Sequence, residues 1–322
     1  MTQYGLLGHP LGHSFSRKFH NERFASLGID AEYLNFDLAD ISTLPQVIAE
    51  HPELSGLNVT IPYKQEVMQF LDELDPVAAR IGAVNTVKFI RGSVTGRAGI
   101  PGLRLIGYNT DIIGFRDSIR PLLIEAGILV PNVNPETAEL GTLKPETLNP
   151  ETAELGTLKP ETLKPETAEL GTLKPETLNP ETAKPEPLKP ETAKPEPSAL
   201  ILGTGGASRA IRVALEDMGI EPVFVSRTPA PGRLTYADLT PEVMAQHRVI
   251  VNCSPVGMFP HVDACPDIPY ECLTPGHVCY DLIYNPAEPL FLTKAKAQGA
   301  RIMSGGAMLE GQAIASYNIW IS

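Results

Sequence analysis

Cysteine is scarce in this chain of 322 residues: there are four, at Cys253, Cys265, Cys272 and Cys279, and no two stand in a C-x-x-C spacing. That weighs against a disulfide framework and against a metal site built on paired thiols, so no metal is expected. Long apolar runs are missing too. No stretch approaches a membrane span, and the first residues, MTQYGLLGHPLGHSFSRKFH, lack the basic-then-apolar order of a secretory signal. Positive charge is also short, with 26 Lys and Arg against 38 Asp and Glu and a net charge of −12. Nucleic acid and anionic membrane surfaces are therefore poor partners. The expectation is a cytoplasmic α/β protein, with a homodimer left open. At 43% hydrophobic residues, the chain is long enough for two domains.

The stretch that organises the chain is Ser198–Thr228. Ala199–Leu202 reads as a buried parallel strand, and the glycine turn Gly203-Thr204-Gly205-Gly206-Ala207-Ser208 follows. Ala207, Ile211, Ala214, Leu215 and Met218 then repeat at helical spacing, Gly219 closes the helix, and Pro222–Val225 forms the next strand. In such a unit Gly203 permits a tight turn and Gly205 lets a phosphate approach the backbone. The helix start at Ala207 offers unpaired N–H groups. The plain alternative is a tight turn with no ligand. The tip of the second strand, Ser226-Arg227-Thr228, carries a cation and no carboxylate. A dinucleotide bound there would be NADP, its 2′-phosphate paired with Arg227, although Arg227 read alone is an ordinary loop arginine.

Taken in order, residues 4–8 form a strand leading into Gly8-His9-Pro10-Leu11-Gly12. Ser14 or Ser16 then caps a helix running to Leu27. Strands are expected at Glu32–Leu38 and Gly56–Ile61, with a helical pattern around Leu44–Glu50 between them. A further helix is expected at Tyr63–Leu74, with Val67, Phe70, Leu71 and Leu74 on one face. Alternation puts Asn58 and Thr60 on the strand face opposite Val59 and Ile61. Lys64 comes just after and could exchange a proton there, or be a plain surface lysine. Ala83–Val87 reads as a strand carrying Asn85. Leu103–Tyr108 leads through Asn109-Thr110-Asp111 to a helix, where Asp111 reads as a first-turn carboxylate. Later strands are expected at Val249–Cys253 and Val278–Leu282, and Gly305 opens a final helix that carries Gln312. The loop containing Met258 follows the first of these two strands.

Between the two halves lies a different material. Asn134–Ser198 comprises thirteen five-residue units with a fifteen-residue period over most of its length. It holds 12 Pro, and its 7 Lys against 13 Glu carry half of the chain's net charge. Proline at that density blocks helix and sheet alike, so the segment reads as a disordered tether. Closure entropy grows only logarithmically with loop length. A protein lacking Asn134–Pro197 is therefore expected to stay soluble and active, as purification and assay of the deletion would check.

Together the motifs GHPLGHSFSRKFHN, NVTIPYK, GAVNTV with YNTD, ILGTGGASRA with SRT, NCSPVGM, DLIYNP and GGAMLEGQA resemble the shikimate dehydrogenase family. The resemblance spans nearly the whole chain apart from the repeat. It implies an NADP-dependent enzyme that interconverts 3-dehydroshikimate and shikimate. A substrate-binding catalytic domain would occupy residues 1–124, joined by the helix 306–322. A Rossmann-like domain would cover 198–305, and the insertion 125–197. By the same resemblance, Lys64 and Asp111 would be the catalytic pair. Ser14, Ser16, Asn58, Thr60, Asn85, Tyr284 and Gln312 would hold the substrate. Gly203, Gly205, Gly206, Ala207, Ser226, Arg227, Thr228, Met258 and Gly305 would hold the cofactor. Departures from the family pattern are Arg17 for proline, Ile112 for glycine, Ser226 for asparagine and the pair Cys253-Ser254. Pro229 and Pro231 stand where a second cation is usual, and Arg233 is its nearest substitute. Ile112, beside Asp111, is expected to narrow the site. A quinate-using or NAD-using paralogue and a non-catalytic ligand-sensing relative are the rival readings.

Overall fold

The computed structural model describes residues 1–12, 15–92, 96, 99–131 and 196–322. Residues 132–195, which hold all but the last three residues of the repeat and its expected tether, and Ser14 lie outside the described residues. Met1–Pro131 and Glu196–Ser322 form one compact unit built on two six-stranded sheets.

The first sheet comprises β1 (Thr2–Gly8), β2 (Ala31–Asp37), β3 (Leu54–Val59), β4 (Glu73–Leu74), β5 (Thr86–Arg91) and β6 (Leu103–Tyr108), in the order β2-β1-β3-β5-β6-β4. β1 runs parallel to β2 and β3, whereas β5 is antiparallel to both β3 and β6. Helices α1 (Phe15–Leu27), α2 (Leu44–Glu50), α3 (Pro76–Ile81) and α4 (Asp111–Glu125) accompany it.

Two expectations for this half are corrected. Tyr63–Leu74 is not one helix. A turn, a short 3₁₀ segment at Glu66–Phe70 and then the strand β4 take its place. Val67 and Leu71 are buried as the apolar spacing suggested, yet the backbone finds better partners in strand β6. Asp72 N–H donates to the Leu105 carbonyl at 2.9 Å, and the Asp72 carboxylate accepts from Leu105 N–H at 2.7 Å. The strand expected at Ala83–Val87 begins only at Thr86. Before it, Val84 N–H reaches the Lys64 carbonyl and Asn85 N–H the Tyr108 carbonyl, so this stretch stitches two neighbours at irregular spacing.

The second sheet is entirely parallel, as expected of near-continuous apolar runs. It contains β7 (Ser198–Leu202), β8 (Glu221–Ser226), β9 (Arg233–Thr235), β10 (Val249–Asn252), β11 (Val278–Asp281) and β12 (Arg301–Met303), ordered β12-β11-β10-β7-β8-β9. Its helices are α5 (Gly206–Asp217), α6 (Pro241–Gln246) and α7 (Leu290–Ala297), and α8 (Gly306–Ile321) closes the chain. The strand order reverses between β7 and β10, and ligands of doubly wound sheets gather outside the carboxyl ends at such a point. Gly203 sits there with φ 107°, a conformation glycine tolerates, and its amide donates to the Val225 carbonyl at 2.9 Å.

Helix α4 joins the halves. Its Phe115, Ile119 and Leu123 are fully buried in one core with Ala199 and Ile201 of β7 and Ile211, Ala214 and Leu215 of α5. Burial of each Phe, Ile or Leu among them contributes about 1.5–3 kcal/mol. Helix α8 packs on α4 and returns to the first sheet, touching β3 and β5. There Trp320 stacks on Tyr4 at 4.7 Å and donates its Nε1–H to the Val87 carbonyl at 3.1 Å.

Candidate active site

A cavity of about 340 Å³ opens where the ends of β1 and β3 face the start of α8. Ser16, Asn58, Thr60, Lys64, Asn85, Asp111, Ala207, Tyr284, Gly305 and Gln312, from seven separate stretches of the sequence, share its wall with apolar residues. Gly203, Gly205, Gly206, Ser226, Arg227, Thr228 and Met258 do not line it. They follow β7, β8 and β10 along the carboxyl edge of the parallel sheet. Arg227 and Thr228 are exposed beyond β8, the Thr228 amide donating to Ser226 Oγ at 3.2 Å, and Met258 is exposed beyond β10.

Lys64 and Asp111 meet on that wall. Lys64 Nζ donates to Asp111 Oδ2 at 2.6 Å, with the side chains only 20% and 9% exposed, so solvent screens the pair weakly. Asp111 is the first residue of α4, and capping was its plain explanation. The structure favours another: one carboxylate oxygen takes Lys64 and the other accepts from Asn85 Nδ2 at 2.9 Å. The Asp111 amide is tied in turn to Asn109 Oδ1 at 3.1 Å. Lys64 itself is held by its own carbonyl, which accepts from Val84 N–H at 2.7 Å.

The polar residues behind the wall form a buried network. Tyr33 OH donates to Asn58 Oδ1 at 2.7 Å, and Asn58 Nδ2 donates to Ser316 Oγ at 2.8 Å. Burial pushes the Tyr33 phenol well above its usual range, with a hydrogen bond to Ser16 opposing, so it remains a donor. Asn85 Oδ1 accepts from Thr110 N–H at 2.7 Å and from Thr86 Oγ1 at 3.0 Å. Sequence reading singled out neither Tyr33, Thr86, Thr110 nor Ser316. Ser316 lies four residues after Gln312 on α8, the spacing that stacks side chains on one helix face, and that was its available signal. Ser16 is the second residue of α1 and reaches Tyr33, so it does not cap the helix. Ile112, expected to narrow the site, is instead packed in the core beneath α4 and is absent from the cavity wall.

The end of β10 is equally ordered. Asn252 Oδ1 accepts from Ser254 N–H at 3.0 Å and from Ser254 Oγ at 2.7 Å, while its Nδ2 donates to Asp281 Oδ1 at 3.1 Å. Burial pushes the Cys253 thiol well up, helped by Asp281, so it is a poor nucleophile. Asp281 is fully buried, and burial raises its carboxyl from 3.8 to about 7 against hydrogen bonds from Ile283 N–H and Asn252. The folded state therefore keeps a proton that the unfolded chain releases. Stability from this group is complete below pH 3.8 and is lost as pH rises toward about 7. Asp281→Asn is expected to exceed the parent in stability at about pH 8 by on the order of 3 kcal/mol. The gap should close in acid, as urea unfolding at both pH values would read.

Two α/β halves, one on a mixed and one on a parallel sheet, a glycine turn at the switch point and a lysine–carboxylate pair on a cavity wall define a nucleotide-dependent oxidoreductase class. A family model described as the shikimate dehydrogenase substrate binding domain matches residues 6–87. A shikimate dehydrogenase (NADP(+)) of Methanococcus maripaludis is 31% identical over 332 residues, covering 98% of this chain and 90% of that protein. One from Bacillus cereus is 31% identical over 333 residues, covering 98% and 91%. A crystal structure of shikimate 5-dehydrogenase from Thermus thermophilus, in complex with NADP(H) and shikimate, is 27% identical with TM-score 0.64, covering 99% of this chain and 93% of that one. The chain belongs to the shikimate dehydrogenase family.

Among the described residues, no helix is long and apolar enough to cross a membrane, and no cluster of three or more His, Cys, Asp or Glu could hold a metal ion.

Proposed function

We propose that this protein is an NADP-dependent shikimate dehydrogenase of the cytoplasm, reversibly reducing 3-dehydroshikimate to shikimate on the route to chorismate and the aromatic amino acids. The observation that carries this reading is the Lys64–Asp111 pair, 2.6 Å apart on the wall of a cavity that mixes polar and apolar side chains. Residues 1–124 with 306–322 form the substrate-binding part in this reading, and 198–305 the cofactor-binding part.

The residues present suit a dinucleotide. Beyond β7, a Cβ at Gly205 or Gly206 would meet nothing within 4 Å, so the backbone at the start of α5 is open to a phosphate. Gly203, Gly205, Gly206 and Ala207 would hold the pyrophosphate, and Arg227 with Ser226 and Thr228 the 2′-phosphate. Met258 and Gly305 would flank the nicotinamide, which when bound supplies or accepts the hydride at substrate C3. Lys64 Nζ gives a proton to the C3 oxygen as the ketone is reduced and recovers it as the alcohol is oxidised. Asp111 orients Lys64 and balances its charge. Ser16, Asn58, Thr60, Asn85 and Gln312 offer the short polar groups that a polyhydroxylated acid needs, as does Ser14 in the sequence reading. Tyr284, 47% exposed, sits 6.2 Å from Phe15, so these two rings border the entrance.

Purified protein assayed for shikimate oxidation with NADP tests the reading, with NAD and quinate in parallel. Turnover with NADP and shikimate supports it. Faster turnover with quinate or NAD would move the protein to the paralogue reading, and tight binding without turnover to the sensing one. Arg227→Gln is expected to raise the KM for NADP about tenfold or more, since charge-assisted hydrogen bonds contribute about 1.5–3 kcal/mol. The KM for NAD should move less than about twofold, because that cofactor has no 2′-phosphate to pair.

A further inference from the structure

We infer that Ser316 is a positioning residue that sets which way the Asn58 amide faces, and so what the cavity can recognise. The inference rests on the functional reading above and deepens it.

The buried connections run from one side of the cavity to the other. Ser16 reaches Tyr33, Tyr33 bonds Asn58, and Asn58 bonds Ser316. Ser316 Oγ then lies 2.7 Å from Thr86 Oγ1 and 3.0 Å from Thr110 Oγ1, and both threonines reach Asn85, which bonds Asp111. Ser16, Asn58, Asn85 and Asp111 line the cavity, whereas Tyr33, Thr86, Thr110 and Ser316 stand behind it. Ser316 is the branch point, fully buried and contributed by the last helix.

Counting donors fixes its role. The Ser316 hydroxyl has one proton, and its acceptors are the Gln312 carbonyl at 2.8 Å, one helical turn back, and Thr86 Oγ1 at 2.7 Å. Its oxygen is then an acceptor toward Asn58, at 2.8 Å. That pins Asn58 Nδ2 to the protein, where its second proton has the Asn85 carbonyl and Thr86 Oγ1, each at 3.3 Å. Both amide protons are used inside the fold. Asn58 Oδ1 accepts one bond from Tyr33 and keeps a second lone pair. Asn58 therefore meets a ligand as an acceptor and selects a hydroxyl donor over a carbonyl or ether oxygen. Without the Ser316 oxygen, the amide loses its shortest anchor, the reversed orientation becomes available, and a buried N–H is left short of a partner.

Ser316→Ala removes one oxygen and leaves a good helix former, so α8 should persist. The chain's single tryptophan, Trp320, stands one turn further along the same helix and reports its seating by emission. The expected result is a rise of about tenfold in the KM for shikimate and in its calorimetric Kd. The KM for NADP and the Trp320 emission maximum should stay close to parent values, while the melting temperature falls by a few degrees for the unpaired buried N–H. Ser316→Thr, which keeps the acceptor oxygen, should restore most of the affinity. Shikimate affinity within twofold of the parent in Ser316→Ala would overturn the proposal, as would equal losses for shikimate and NADP. Absence of shikimate binding by the parent protein would overturn the functional reading, and this inference with it.

Discussion

Lys64→Ala is expected to lower kcat for shikimate oxidation by about 10³-fold, within the range of a positioned proton-transfer group. The argument starts from placement. Lys64 lies in a turn just past β3, its carbonyl fixed by Val84 and its ammonium held 2.6 Å from Asp111. The Asp111 carboxylate, 9% exposed, is itself anchored by Asn85, and the Asp111 backbone amide by the Asn109 side chain, so the pair is oriented before any substrate arrives. Preorganisation of this kind is what a mutation removes from the transition state more than from the ground state. Hence kcat and kcat/KM should fall together, while the KM for NADP stays within about twofold of the parent. Lys64→Arg keeps the charge but not a readily exchanged proton, because a guanidinium does not deprotonate in proteins. It should rescue substrate binding without rescuing turnover. Steady-state kinetics of both variants, with melting curves to confirm folding, decide the matter. An alanine variant that retains more than a tenth of the parent kcat would remove Lys64 from the proton path.

The parallel sheet was legible because its information is local. Within β7 and β10, Ala199, Leu200, Ile201 and Leu202 and then Val249, Ile250 and Val251 are uninterrupted apolar runs, and the glycine turn announces the start of α5. The Tyr63–Leu74 segment was misread because Val67, Phe70, Leu71 and Leu74 have helical spacing, whereas its conformation is decided by pairing with Leu105 and its neighbours on β6, more than thirty residues on. The same holds for the site. Lys64 and Asp111 could be named one by one from their motifs, but their contact, 47 residues apart in sequence, belongs to the tertiary structure. Tyr33, Thr86, Thr110 and Ser316 were invisible for a stronger reason. Each is unremarkable in its own segment and acquires a role only where β2, β5, the start of α4 and α8 converge. A polar residue on an otherwise buried face is the trace such networks leave in sequence, and it does not say which partner satisfies it.

Gly114→Ala is expected to reduce stability by about 3 kcal/mol and to cost activity out of proportion to one methyl group. At this crossing α4 and α8 pack backbone to backbone. A Cβ on Gly114 would overlap the Met308 carbonyl oxygen and lie 2.9 Å from the Gln312 amide nitrogen. Neither is the tip of a flexible side chain that can swing aside, so α8 must shift as a body. That helix carries Met308, Leu309 and Gln312 on the cavity wall and Ser316 behind it, and ends in Trp320 stacked on Tyr4. Any displacement therefore reaches the wall and the Asn58 anchor together. The KM for shikimate should rise by about tenfold or more even in the fraction that stays folded, since hydrogen bonds weaken steeply once their geometry is lost. Alanine in place of Gly205, where a Cβ meets nothing within 4 Å, is the matched control, and it should leave stability nearly unchanged while perturbing cofactor binding. Urea unfolding and shikimate titration of the two variants separate the effects. Equal stability in Gly114→Ala and the parent would mean that the two helices can part without cost, and that α8 does not hold this wall rigidly.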